Sequence, residues 1–325
     1  MMNMYPVKLS PVYKDYLWGG DRIPRVFKRE HAPGGLIAES WEVSDRSDGM
    51  GVVTNGALAG KSFADLIQLW GRNLLGARVA GDRFPLLIKL IDARERLSVQ
   101  VHPNDETAAK YGGEAKTECW YILEADSGAG VYAGFKPGVD AAAYAAAVAQ
   151  GATGNLLNHI PVQAGDAVFI PGGLVHAIDA GCLILEVQQN SNTTYRIDDW
   201  GRVGADGQPR ALHVQQAAQV IRWDITGDPR VTPRALSDGS GNLRHRLVES
   251  PFFLLDRIDL QRPQQIDGRD ESFIALFIAS GTACLEWPGG HEILVSGSSC
   301  LVPAALRGAL VTSSDRAVML HVTVP

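Results

Sequence analysis

Short apolar runs broken by turn residues dominate this chain, and their length and β-branched content predict strands rather than helices. Strands are expected over residues 86–91, 97–101, 119–123, 167–170, 183–188, 273–279, 282–286 and 299–302. Helical periodicity is rarer. Ser62-Phe63-Ala64-Asp65 has the form of a capping box, and Phe63, Leu66, Ile67, Trp70 and Leu74 then recur on one face. Asn104 is placed to cap a short helix through Ala109, residues 140–150 are alanine-rich with Gly151 as a stop, and a last helix is expected over residues 211–221. The pattern predicts a mainly β protein of jelly-roll or barrel type. Residues 1–223 form the expected first domain. Residues 224–243, punctuated by Pro229, Pro233, Gly239 and Gly241, form a linker, and residues 244–325 a second β domain.

Length and charge narrow the class. With 325 residues and 46% hydrophobic composition the chain can bury one large core or two ordinary ones. A formal net charge of −6 argues against nucleic acid as a partner. No apolar run has the length of a membrane span, and no basic-then-apolar start resembles a signal peptide, so a cytoplasmic protein is expected. Cys119, Cys182, Cys284 and Cys300 are scattered without a CxxC pair and read as reduced, buried thiols. Strand alternation aims Cys119 away from the face that Glu118 occupies.

The candidate chemistry lies in three stretches. In Gln100-Val101-His102-Pro103, Gln100 and His102 alternate on an extended segment and so share a face. In Lys116-Thr117-Glu118 the ammonium and the carboxylate alternate in the same way. His176 follows the turn Pro171-Gly172-Gly173. Two imidazoles, a carboxylate and an amide oxygen, with no thiolate, form a donor set that suits one zinc ion per chain with a position left for substrate. Glu186, ten residues beyond His176 on a strand expected to return past the metal, is a candidate base, with an ion pair to Lys89 or Arg196 as the competing role. His31, His159, His213, His245, His291 and His321 stand in no such motif and read as core or surface groups.

The order Gly165, Pro171, Gly173, His176 resembles the second motif of the cupin superfamily, and the fold it implies is two cupin-type jelly-roll barrels with a few short helices. The usual first motif has a histidine where this chain has Gln100, and Glu118 lies further on than usual. The later Pro303-Ala304-Ala305-Leu306 echoes the Pro171 turn without a histidine, so the second barrel is expected to be metal-free. More narrowly, LWGG (17–20), SVQVHPND (98–105), KTECWY (116–121), PGGLVHAI (171–178) and LEVQQNSNTTYRIDDWGR (185–202) resemble the type I mannose-6-phosphate isomerases in their short bacterial form.

That resemblance implies a zinc-dependent aldose–ketose isomerase acting on a sugar phosphate through an enediol. Its metal ligands fall on Gln100, His102, Glu118 and His176, and its catalytic arginine on Arg196. Lys116 matches a lysine near the site and is assigned a proton relay. Lys89, Lys116, Arg196 and Arg202 could line a site for the phosphate, Lys89 with orienting a carboxylate as its other role and Arg202 competing with an ion pair to Asp198 or Asp199. The alternatives are an isomerase or epimerase of another sugar, possibly unphosphorylated, and a cupin that only binds sugar. A monomer or weak homodimer is expected.

Overall fold

The computed structural model describes residues 4–29, 32–204 and 207–325. Strands outweigh helices, in keeping with the alternating and short apolar runs. No helix among the described residues is long and apolar enough to cross a membrane.

The chain forms two compact units, one of Tyr13–Ser40 and Ile88–Arg230, the other of Met1–Val12, Trp41–Leu87 and Val231–Pro325. In the first, a five-stranded sheet runs in the order Tyr195–Asp198, Val99–Val101, His176–Ile178, Gly130–Phe135, Leu157–Pro161. The other, six-stranded, runs Ala167–Ile170, Glu118–Ala125, Cys182–Gln189, Leu86–Ala93, Glu39–Val43, Val12–Lys14. Ile91, Trp120, Ile122 and Ile184 from the larger sheet share one core with Val131, Ala133, Ile160 and Ile178 from the smaller. That is the two-layer solution of a jelly roll.

The second unit pairs a six-stranded sheet with a four-stranded one around its own core, which includes Ile258, Leu276, Ile278, Leu285, Val311 and Met319. The echo of the Pro171 turn is real at the level of the backbone: Leu174 N donates to Pro171 O (3.1 Å), and Leu306 N to Pro303 O (3.0 Å).

The division into residues 1–223 and 244–325 is not the one observed. The segment Trp41–Leu87 belongs with the C-terminal strands, because the helix Phe63–Trp70 needs an apolar partner. Its capping box forms as expected between Ser62 and Asp65, and Phe63, Leu66, Ile67 and Trp70 are buried. The Phe84 ring lies 5.2 Å from Phe63 and 4.5 Å from Phe273, so a residue 189 positions beyond Phe84 completes the cluster. The presumed linker also carries structure: Arg234–Leu236 is a strand paired antiparallel with Leu243–Glu249. The last helix is shorter than expected, Val214–Val220, because His213 N bonds Arg196 O and holds the preceding residues in extended form.

One turn positions the first unit's histidines. After the strand Ala167–Ile170, Gly173 takes φ +94°, a conformation that disfavours other residues. Gly173 N donates to His102 O (2.8 Å) and Gly172 N to Thr117 Oγ1 (3.2 Å). A Cβ on Gly172 would stand 2.8 Å from Asn104 Cα and from Pro103 O. Asn104 in turn caps the helix Asp105–Tyr111 through a reciprocal pair with Thr107. The glycines therefore let the turn lie directly on the backbone that carries His102.

Two outcomes are expected. Phe84→Ala removes a fully buried ring and costs about 3–5 kcal/mol, seen as a lower urea midpoint at unchanged slope. Gly172→Ala forces the backbone near His102 apart and costs about 1–3 kcal/mol by overpacking, seen as a lower thermal midpoint.

Candidate active site

Strand register assembles the donors. Gln100 lies opposite His176 on one side and opposite Arg196 on the other, so these three side chains form a row on one face of the smaller sheet. In the facing sheet Glu118 lies opposite Gln188, and Trp120 opposite Glu186. Alternation puts Glu118, Trp120 and Glu186 on the same side and turns Cys119 away. Cys119 is buried, and burial together with Glu118 and Glu186 pushes its thiol well up.

His102, Glu118 and His176 each offer one ligand atom, and these atoms all lie within 4.8 Å of one another. Glu118 Oε1 is 3.4 Å from His176 Nε2, and Glu118 Oε2 is 3.6 Å from His102 Nε2. Both rings are fixed from behind: His102 Nδ1 is 2.8 Å from Thr193 O, and His176 Nδ1 is 2.8 Å from Leu174 O. A carbonyl only accepts, so each Nδ1 carries the proton and each Nε2 presents a lone pair. Burial lowers both imidazoles, His176 to about 4, which keeps them neutral at pH 7.

Gln100 Nε2 is 3.3 Å from His176 Nε2, so the amide reaches the cluster, and turning its two ends would bring the oxygen inward. Lys116 Nζ stands 2.6 Å from Glu118 Oε2, 3.2 Å from His102 Nε2 and 3.9 Å from Glu186 Oε2. Lys89 Nζ lies between Glu186 Oε2 (2.8 Å) and Glu39 Oε1 (3.2 Å). Trp120 Nε1 donates to Glu186 Oε1 at 2.8 Å.

Burial works to raise Glu186, but Lys116, Lys89 and the Trp120 bond outweigh it and hold the carboxyl at about 2. Burial and the charge of Glu186 push Glu118 the other way, to about 8, against the pull of Lys116. These values fit the residues to a divalent cation. Glu118 is a buried carboxylate short of positive charge, both of its oxygens lack a well-formed hydrogen bond, and two lone pairs point beside it.

A pocket of about 280 Å³ opens beside this cluster, with Gln100, Lys116, Lys89, Glu186 and Arg196 among its lining residues. The early Leu17-Trp18-Gly19-Gly20 segment supplies another part of the wall. A Cβ on Gly19 would stand 2.5 Å from Ala38 N, and this close approach brings Tyr16 and Trp18 to the pocket.

Arg202 is not among the lining residues. Its guanidinium binds Asp199 (2.5 Å) and Arg96 O (2.6 Å), the ion-pair role that competed with phosphate binding. Lys89 lines the pocket, but its ammonium is committed to two carboxylates. Glu186, the candidate base, makes the ion pair that competed with that role: its Oε2 lies 2.8 Å from Lys89 Nζ, and Lys116 and Lys89 lower its carboxyl. Arg210 lines the pocket instead, and nothing in the motif strings signalled it. His213 was read as an ordinary group, yet its Nδ1 accepts from Arg196 N (3.2 Å) and fixes that backbone. His31 lies outside the described residues.

Residues 7–128 match the family described as phosphomannose isomerase type I, catalytic domain. The mannose-6-phosphate isomerase of Streptococcus mutans is 37% identical over 253 residues, 76% of this chain and 77% of that protein. The crystal structure of the mannose 6-phosphate isomerase from Bacillus subtilis superimposes with a TM-score of 0.87 at 30% identity, covering 98% of this chain and 99% of that one. A mannose 6-phosphate isomerase bound with zinc and yttrium shares the fold at 18% identity, with a TM-score of 0.76 over 98% of this chain and 99% of that one. Register, donor set and likeness over nearly the full length agree, and the chain belongs to the type I mannose-6-phosphate isomerases, which are aldose–ketose isomerases.

Proposed function

We propose that this chain interconverts mannose 6-phosphate and fructose 6-phosphate with one zinc ion held by His102, Glu118, His176 and the amide oxygen of Gln100. The observation that carries the proposal is the convergence of two neutral Nε2 atoms and the Glu118 carboxylate within 4.8 Å, next to Gln100 and Lys116, which line a pocket together with Arg196. The family resemblance and the zinc in a structure of the same fold support it. Bound there, zinc supplies Lewis-acid polarisation of a substrate oxygen, worth several kcal/mol.

The chain's own groups do the rest. The reaction removes a proton from the carbon beside the carbonyl and returns it to the neighbouring carbon through an enediol. Lys116, whose ammonium reaches both the ligand cluster and Glu186, is the residue assigned to relay protons to the sugar oxygens. Arg196 stays charged and holds the developing oxyanion, because a guanidinium is a poor proton donor and a good fixed cation. Glu186 and Glu39 anchor Lys89, which fixes Glu186 and through it the position of Trp120. Trp120 meets the His176 ring edge-on at 5.5 Å.

A coupled assay of mannose 6-phosphate conversion, run beside free mannose and with a chelator control, tests this reading. Chelator-sensitive conversion of the phosphorylated sugar is expected; equal rates on both sugars would favour an unphosphorylated substrate. His176→Ala should lose bound zinc and reduce turnover more than about 100-fold, and full activity in a zinc-free variant would sink the metal site. Arg196→Ala should keep its zinc, measured by atomic absorption, while kcat falls about 10²–10³-fold.

A further inference from the structure

Of the sequence candidates for the anionic end of the substrate, Lys89, Lys116 and Arg202 are held by carboxylates. A different cationic group faces the pocket. Arg196 and Arg210 both line it, along with Ser98, Asn192 and Thr194. Their surroundings are short of negative charge. Arg210 binds Asp199 through two nitrogens, Nε to Oδ2 at 2.7 Å and Nη2 to Oδ1 at 2.5 Å. Arg202 takes the same Oδ1 from its own side at 2.5 Å. One carboxylate thus serves two guanidiniums. Arg196 forms no ion pair among the described residues: its Nη1 is spent on Ala211 O (2.9 Å), and its Nε is buried without a partner.

We propose that Arg210, oriented by Asp199, is a specificity-determining residue that selects a substrate bearing a dianionic phosphate, while Arg196 next to it keeps its place at the reacting end. The inference rests on the isomerase reading and deepens it. Asp199 grips one edge of the Arg210 guanidinium, which fixes the plane of the fork and leaves Nη1 without a partner among the described residues. A fixed fork with a free nitrogen, beside a second guanidinium in the same wall, is a geometry that recognises tetrahedral oxyanions. The two arginines repel each other, and that repulsion, after burial, lowers Arg196. A dianion bound at the Arg210 fork offsets it. Arg202 then has an indirect part: it secures Asp199, so that Asp199 in turn holds Arg210.

The test uses zinc-loaded Arg210→Met and Arg210→Lys beside the unaltered protein, with inorganic phosphate as the probe. Loss of one charge-assisted guanidinium–phosphate contact is expected to raise KM for mannose 6-phosphate about 10–100-fold. The inhibition constant of inorganic phosphate should rise by a similar factor, with bound zinc unchanged and kcat falling much less. Arg210→Lys keeps the charge without the fork and should fall between; it also serves if the methionine variant fails to fold. KM and phosphate inhibition within twofold of the unaltered protein, or a loss confined to kcat, would overturn the assignment. Phosphate affinity is also read by calorimetry, without turnover. An unaltered protein inert toward mannose 6-phosphate would therefore reject the isomerase reading, while the calorimetric comparison still decides the role of Arg210.

Discussion

Three carboxylates, Glu39, Glu118 and Glu186, and two ammonium groups, Lys89 and Lys116, sit in the first unit's interior with almost no access to solvent. A charge buried without a full set of partners is among the most costly features a fold can carry. Its effect falls unequally. Glu186, within 4 Å of both lysines, is held at about 2, while Glu118 is pushed up to about 8 by burial and by Glu186. The deficit of positive charge is thus concentrated on the carboxylate that adjoins both imidazole lone pairs. A divalent cation at that point removes the imbalance and turns an electrostatic liability into a binding site.

The rest of the first unit keeps this arrangement in register. Backbone carbonyls of Thr193 and Leu174 choose the tautomer of each imidazole, so the ligand atoms are prepared by main-chain geometry rather than by a neighbouring acid. The Pro171 turn fastens the segment leading to His176 onto the carbonyl of His102, which ties the two histidines of the cluster to one junction. Further along the wall the charge balance reverses, with Arg202 and Arg210 sharing Asp199 and Arg196 close enough to feel their charge. A substrate with a neutral reacting end and an anionic tail matches that polarity, although the protein as a whole is acidic.

Much of this was legible beforehand. The strands over residues 167–170 and 299–302 have the boundaries expected, and the Ser62 and Asn104 caps form as their spacing requires. Gln100, His102, Glu118 and His176 converge because alternation along a strand is a local property, readable from two or three residues. The Pro-Gly-Gly turn is equally local, since only its φ and the close approach to Asn104 matter. Less was legible where a residue's role depended on distant partners. The helix Phe63–Trp70 announced its apolar face but not that Phe84 and Phe273 would complete the cluster around it, so the domain boundary was misplaced.

The sequence by itself determined a mainly β protein, the residues that meet in the His102–Glu118–His176 cluster and the family, because those depend on periodicity, turn chemistry and motif order. Only the tertiary structure decided which cations are spent and which remain available. Lys89 is locked by carboxylates 50 and 97 positions away, and Arg202 rather than Arg210 is turned from the pocket although both share Asp199. The reason is physical. A charge acts on whatever lies within a few ångströms, and in a sheet protein most of those neighbours come from strands remote in the chain.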